Sequence, residues 1–155
     1  MDMLEIGTFS MNEVEERTHM SFWAALKSPL IIGADINNIS STSLNILLNK
    51  NIISVNQDSL GTAVSYLPDL SIEGKTQLWA GPLSDGNRKY VVLALNEGGN
   101  ATNIEVPWAQ ILQSSLLGKS YTVREIWTDQ SHGLTNGTLV LQNVTSHETR
   151  VLVLL

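Results

Sequence analysis

The hydrophobic pattern changes period near Asp58. Up to that point apolar residues recur at helical spacing or in short unbroken runs; beyond it they alternate with polar residues at every second position. The opening stretch Met3-Leu4-Glu5-Ile6 stops at Gly7. The spacing then predicts a helix over 12–27. Asn12 is placed as its N-cap, and Glu15 three residues on completes a capping-box pattern. Glu13, Glu15 and Glu16 put negative charge where the helix dipole favours it, so this segment reads as a solvated helix start. Met20, Trp23, Ala24 and Lys27 fall on one face, and Pro29 ends the helix. The run Leu30-Ile31-Ile32-Gly33-Ala34 reads as a strand buried on both faces, as in a parallel sheet. A second helix is expected from Ser41 or Thr42, with Leu44, Leu47 and Leu48 along one side.

The later pattern predicts strands over 76–80, 89–95, 103–106, 121–127, 138–142 and 149–155, with one helical turn over 107–112. Turn-forming clusters separate them: Ser84-Asp85-Gly86-Asn87, the stretch 96–100, Gly118-Lys119 and Asn136-Gly137. Six short strands at this spacing argue for an antiparallel sandwich or barrel. Two βα units cannot bury their own strands, since a parallel sheet needs neighbours on its edges and helices on its faces. Residues 1–58 therefore read as the tail of a larger α/β domain. Leu30, Ile31, Ile32, Leu44, Leu47 and Leu48 are expected to be left exposed, and 62–155 to be the protease-resistant unit.

Composition narrows the chemistry. Of the 155 residues 43% are hydrophobic and 15% charged, which suffices for a packed core. A formal charge of −6 is the wrong sign for a sequence-independent nucleic-acid binder. No apolar run has the length of a membrane-spanning helix, so neither nucleic acid nor membrane is expected as a partner. With no cysteine, thiolate metal sites, disulfides and a cysteine nucleophile are excluded. His19, His132 and His147 are too scattered for a local metal motif, and Gly98-Gly99 lies between strands rather than in a phosphate loop, so no metal or cofactor is expected. The first residues carry no basic cluster of the kind that opens a signal peptide.

Individual side chains have bland and functional readings. Asp2 and Glu5, three apart in a strand, face opposite sides and make a poor carboxylate pair. Asp35 follows the buried strand and suits a turn or a helix start. His147 suits a turn or a sandwich edge. Trp79 and Trp127 lie in alternating strands and read as core, while Trp108, beside Pro107, is the candidate exposed aromatic. Asn38, Asn100, Asn136 and Asn143 begin Asn-X-Ser/Thr sequons, a hint of secretion.

Several of these segments carry a family resemblance. Asp2-Met3-Leu4-Glu5-Ile6-Gly7 resembles the end of the Asp-Pro-Asp-Met-Leu motif of glycoside hydrolase family 27, the α-galactosidase (melibiase) family. Glu16-Arg17-Thr18-His19, Phe22-Trp23-Ala24 and the run from Lys27 to Asp35 resemble its next helix and last barrel strand. The stretch from Asn49 to Gly61 resembles its barrel-to-sandwich junction, with Ser59 where the family usually has Pro. Leu78-Trp79-Ala80-Gly81-Pro82-Leu83, Val91-Val92-Leu93-Ala94-Leu95-Asn96, Glu125-Ile126-Trp127 and the run from His147 to Leu152 resemble strands of its sandwich.

The resemblance implies an α/β plus all-β fold. Residues 1–58 would hold the last two βα units of a (β/α)8 TIM barrel, and 59–155 an antiparallel β-sandwich of Greek-key type. It implies a secreted retaining α-galactosidase acting on terminal α-D-galactose of galacto-oligosaccharides and galactomannans, without a cofactor. Two aspartates about 5 Å apart would act as nucleophile and acid/base. Both belong to motifs upstream of this stretch, so no catalytic residue is assigned here and the chain alone is expected to be inactive. Asp2 and Met3 match positions that contact the sugar in the family, although Met1 stands where the family has Pro. The partners implied are the α-galactoside substrate in the intact enzyme and the missing barrel portion of the same protein. Two alternatives stay open: a non-catalytic sandwich module, structural or carbohydrate-binding through Trp108, and part of an α-N-acetylgalactosaminidase, whose distinguishing residues would also lie upstream.

Overall fold

The computed structural model describes residues 3–84, 90–112, 116, 121–134 and 137–155. Asp2, Asn136 and the expected turns at 85–87 and 118–119 lie outside the described residues.

Helix α1 (Glu13–Ala25) forms where the capping residues demand it. Asn12 Oδ1 accepts from the Val14 and Glu15 N–H groups, and the Glu15 carboxylate accepts from the Asn12 N–H at 2.9 Å, closing the capping box. Beyond its end Lys27 turns into the left-handed region (φ 59), and Pro29 prevents continuation. Ser40 caps α2 (Ser41–Leu47) and Asn49 caps α3 (Lys50–Asn56), each through its side-chain oxygen. Helix α3 lies in the expected junction and was not foreseen as a helix.

The remaining elements are β1 (Ser65–Tyr66), a 3-10 turn at Pro68–Leu70, β2 (Thr76–Pro82), β3 (Tyr90–Asn96), β4 (Thr102–Pro107), α4 (Trp108–Ile111), β5 (Tyr121–Glu125), β6 (Ser131–Leu134), β7 (Thr138–Val144) and β8 (Thr149–Leu154). They form a six-stranded antiparallel sheet in the order β1-β2-β3-β8-β5-β6 and a two-stranded sheet β4-β7. The chain crosses to the second sheet for β4, returns for β5 and β6, crosses again for β7 and comes back as β8 between β3 and β5. The six expected strands are present. β1 and β6 were not anticipated: β1 has only two residues, and Ser131-His132-Gly133 offers no alternation.

The central strands serve two cores. From β3 and β8, Tyr90, Val92, Ala94, Leu152 and Leu154 face the two-stranded sheet and pack with Ile104, Val106, Leu141 and Val144. Their alternate neighbours Val91, Leu93, Val151 and Val153 face the other way, into a core with Leu4, Ile6, Met20, Ala24, Ile52 and Val55. The six-stranded sheet is thus covered on one face by its partner sheet and on the other by α1 and the helices beyond it. Polar contacts run through the same seam. Val64 N–H donates to Ala25 O (3.1 Å), Thr18 Oγ1 to His147 O (2.7 Å) and Trp127 Nε1 to Ser21 Oγ (2.9 Å). This core crosses the change of pattern near Asp58, so a 62–155 piece would bare Val91, Leu93, Val151 and Val153. The structure argues against treating that piece as a self-covered unit.

Four expectations need correction. Trp108 is buried, 1% exposed, because the α4 turn closes one end of the sandwich and turns Trp108 and Ile111 together into the core between the sheets. Glu16 is buried rather than solvated. The 30–34 segment is not a fully buried strand: it makes one parallel bridge, Leu4 with Ile32, and Ile31 and Ile32 are 56% and 46% exposed. A ladder needs partners on both edges, and among the described residues only the Leu4 segment provides one. Leu44 and Leu48 are exposed as expected, whereas Leu47 is buried beside Ile46, because α2 folds back on α1.

Candidate functional site

The two segments that open the α/β region lie side by side. Leu4 N–H donates to Ile31 O at 2.7 Å and Gly33 N–H to Leu4 O at 2.8 Å, the slanted pattern of parallel strands. Met3, 42% exposed, lies against Gly33. A Cβ on Gly33 would sit 2.5 Å from Met3 Sδ and 3.0 Å from Leu4 O, so glycine is what lets the Met3 side chain fold over the neighbouring segment. Gly7 ends the first segment at φ +86, and a Cβ there would meet Ile39 Cγ1 at 2.7 Å.

Helix α1 holds the backbone leaving Met3 from behind. His19 Nε2 accepts the Glu5 N–H at 3.3 Å, and Glu16 Oε1 accepts the Gly7 N–H at 2.7 Å. Residues 16 and 19 are neighbours on the helix surface, and the two N–H groups are two residues apart on the strand side. Glu16 also accepts from Ser43 Oγ at 2.8 and 3.0 Å, joining α1, α2 and the Gly7 turn through one buried carboxylate. His19 stacks on Trp23 with ring centroids 4.0 Å apart. Burial pushes its pKa below the ordinary histidine value, against the opposing pull of Glu5 and Glu16. A neutral ring is what a Nε2 acceptor requires.

The acids of the region are committed to structure. Asp35 accepts from the Asn37 N–H (3.0 Å) and the Asn38 amide (2.6 Å), and these bonds hold its carboxyl below the usual range; it makes the expected turn. Glu15 is tied to the Asn12 N–H and to His147 Nδ1 (3.3 Å), which lower its pKa. His147 stands in a left-handed turn (φ 60) at the sandwich edge, as expected. An open pocket of about 420 Å³ lies between α1 and the sandwich, lined by Met11, Glu15, Thr18, His19, Leu95 and His147. Trp79 and Trp127 are partly buried against the helix-side core. The positioning roles of Gly33, His19 and Glu16 were not read from the sequence. Gly33 alone left a trace there, as a small residue interrupting a run of bulky ones.

Asp2 lies outside the described residues, so of the two expected sugar contacts only Met3 has a described position. Asn38, Asn100 and Asn143 are exposed.

The fold defines a class in which βα units meet an antiparallel sandwich through one shared helix. Comparison with known proteins makes the class specific. A family model for the "Alpha galactosidase C-terminal beta sandwich domain" matches residues 73–154, and one for "Alpha galactosidase A" matches residues 1–58. An α-galactosidase of Lachancea cidri is 36% identical over 158 residues, covering 94% of this chain and 33% of that protein. One from Oryza sativa subsp. japonica is 42% identical over 131 residues, covering 84% of this chain and 30% of that protein. The crystal structure of α-galactosidase I from Mortierella vinacea superposes with a TM-score of 0.87 at 37% identity, over 99% of this chain and 38% of that one. The α-galactosidase of Saccharomyces cerevisiae solved with raffinose shares the fold, with a TM-score of 0.80 at 24% identity over 99% of this chain and 46% of that one.

The chain belongs to the α-galactosidase family. It spans about a third of the length of the curated relatives it matches.

Proposed function

We propose that these residues work as the carboxyl-terminal third of a secreted retaining α-galactosidase, which removes terminal non-reducing α-D-galactose from galacto-oligosaccharides and galactomannans. The observation that carries this reading is the match of two α-galactosidase family models, one on each side of the seam. In this reading Met3, seated on Gly33, gives the sugar ring an apolar contact, and the Asp2 carboxylate accepts hydrogen bonds from its hydroxyls. His19 and Glu16 hold the backbone that carries both. The nucleophile and the acid/base belong to the rest of the barrel. Ile31, Ile32, Leu44 and Leu48 form part of the surface against which that barrel closes, since apolar side chains so exposed need a cover.

The reading is tested with 4-nitrophenyl α-D-galactopyranoside. The 155 residues alone should release no nitrophenol; joined to the upstream two thirds of a family barrel, they should support turnover with retention, followed by NMR of the first-formed anomer. Turnover by the isolated chain, or an inverted product from the joined one, would sink the proposal. The alternative of a sandwich binding carbohydrate through an exposed Trp108 loses its support, because that ring is enclosed between the sheets.

A further inference from the structure

Phe9 stands in the left-handed region, at φ 65, and is 77% exposed. Glycine adopts that backbone readily and an aromatic residue seldom does, so the chain carries local strain there. Its neighbours hold the turn. Thr8 N–H and Thr8 Oγ1 both donate to Glu5 O, at 3.2 and 2.7 Å, and Thr8 Oγ1 shares a hydrogen bond with Ser10 Oγ at 2.8 Å. Burial does not account for the conformation, because the ring belongs to neither core. Leu4 and Ile32 are bridged in parallel, so the chain leaves both segments at the same end. Residues 5–12 and 33–40 form the two loops at that end, and they touch: a Cβ on Gly7 would meet Ile39 Cγ1 at 2.7 Å and Ala34 Cβ at 3.4 Å. Phe9 on the first loop and Ile36, 69% exposed, on the second are their most exposed apolar side chains. Ile31 and Ile32 are exposed within a strand, where a neighbouring strand and helices would cover them. Phe9 and Ile36 lie beyond the strand end, on loops of the kind that rim the substrate site of a (β/α)8 barrel.

We propose that Phe9 contacts the leaving group: its ring stacks on the sugar to which the terminal galactose is linked. The inference rests on the hydrolase reading and deepens it by making the preferred leaving group a sugar. In that reading Met3 meets the galactose ring. A terminal galactose enters first, so the rest of the saccharide extends past the loops toward solvent. One face of a pyranose presents mainly C–H groups, which a flat aromatic ring covers while the hydroxyls around the edge stay in water. A ring held out by its own backbone is ordered before the saccharide arrives, which lowers the cost of binding it.

The test joins the chain to the upstream two thirds of a family barrel and compares two galactosides by steady-state kinetics. Melibiose has glucose as its leaving group; methyl α-D-galactopyranoside has methanol, which offers no ring to stack. Phe9→Gly should lower the ratio of kcat/KM, melibiose over methyl galactoside, about 5- to 10-fold, the scale of one aromatic contact. Phe9→Trp should keep the ratio close to that of the parent. Phe9→Gly should also hold or raise the urea midpoint, because glycine takes the left-handed turn without strain. An unchanged ratio overturns the inference. So does a Phe9→Gly variant that unfolds at lower urea, the result expected if a barrel loop packs on the ring instead of a sugar. A cooperatively folded parent that turns over neither galactoside is a different result: it removes the hydrolase reading, and this inference with it.

Discussion

Met3 occupies the space that a side chain on Gly33 would need: a Cβ there would fall 2.5 Å from the Met3 sulfur. The ring contact proposed for Met3 therefore depends on an absence of atoms in the next segment. Gly33→Ala should push Met3 outward while leaving the sandwich unchanged. In an enzyme joined from this chain and a family barrel, kcat/KM for a galactoside should fall about 10- to 100-fold, the scale of a misplacement of about 1 Å. Steady-state kinetics checks it, and an unchanged kcat/KM would remove Met3 from the site.

Glu125, 2% exposed, accepts Arg150 Nη1 at 3.1 Å on both carboxylate oxygens, with Thr128 Oγ1 adding a bond at 2.9 Å. A buried ion pair contributes little net stability, but one partner left alone is costly. Arg150→Met should destabilise by about 3–5 kcal/mol, and adding Glu125→Leu should restore most of that loss. Urea midpoints of the two single variants and the double variant decide this; additive losses would contradict it.

His19 has its pKa lowered by burial, so the folded chain binds a proton there less readily than the unfolded chain. Its neutral form costs nothing above the ordinary value of about 6.5. Stability should fall as pH drops through that value and level off below the folded pKa. His19→Gln, which keeps an acceptor for the Glu5 N–H, should flatten this part of the curve. Urea midpoints taken between pH 7.5 and 5.5 test it, and parallel curves for variant and parent would refute it.

Asp58 latches the segment after α3 onto the sandwich. It accepts from Ser84 N–H (3.0 and 3.1 Å), Ser84 Oγ (3.0 Å) and Leu60 N–H (3.1 Å). Burial opposes its ionisation, but these bonds, with Lys27, outweigh it and keep the carboxyl below its usual range. Its contribution is complete above the unfolded pKa of about 3.9 and is lost as pH falls through the lower folded value. Asp58→Ala should cost about 1–3 kcal/mol at pH 7. Differential urea unfolding at pH 7 and at pH 2 should show the gap between parent and variant closing in acid.

Local features were legible where a residue acts on its own backbone. Asn12 with Glu15, the stop at Pro29 and the strand periods all follow from rules of a few residues, and the helix and the six strands appear where those rules put them. The motif around Met3 lies within the stretch that the family model matches. Trp108 was misread because its environment comes from two sheets far apart in sequence: Pro107 signals a turn but not which way the turn faces. Glu16 was misread because its partners, Gly7 and Ser43, belong to different segments.

The amino-acid order alone determined the first two helices, six of the strands, the change from helical to strand period and the family, because capping, turn chemistry and side-chain alternation act over a handful of neighbours. Only the tertiary structure decided that one helix seals a face of the six-stranded sheet, that Gly33 makes room for Met3, and that Asn96 ties the turn after β3 to the end of β7. These depend on contacts between segments far apart in the chain, 48 residues for Asn96 with Val144 and 129 for Thr18 with His147, or on the space between segments, and no local pattern encodes either.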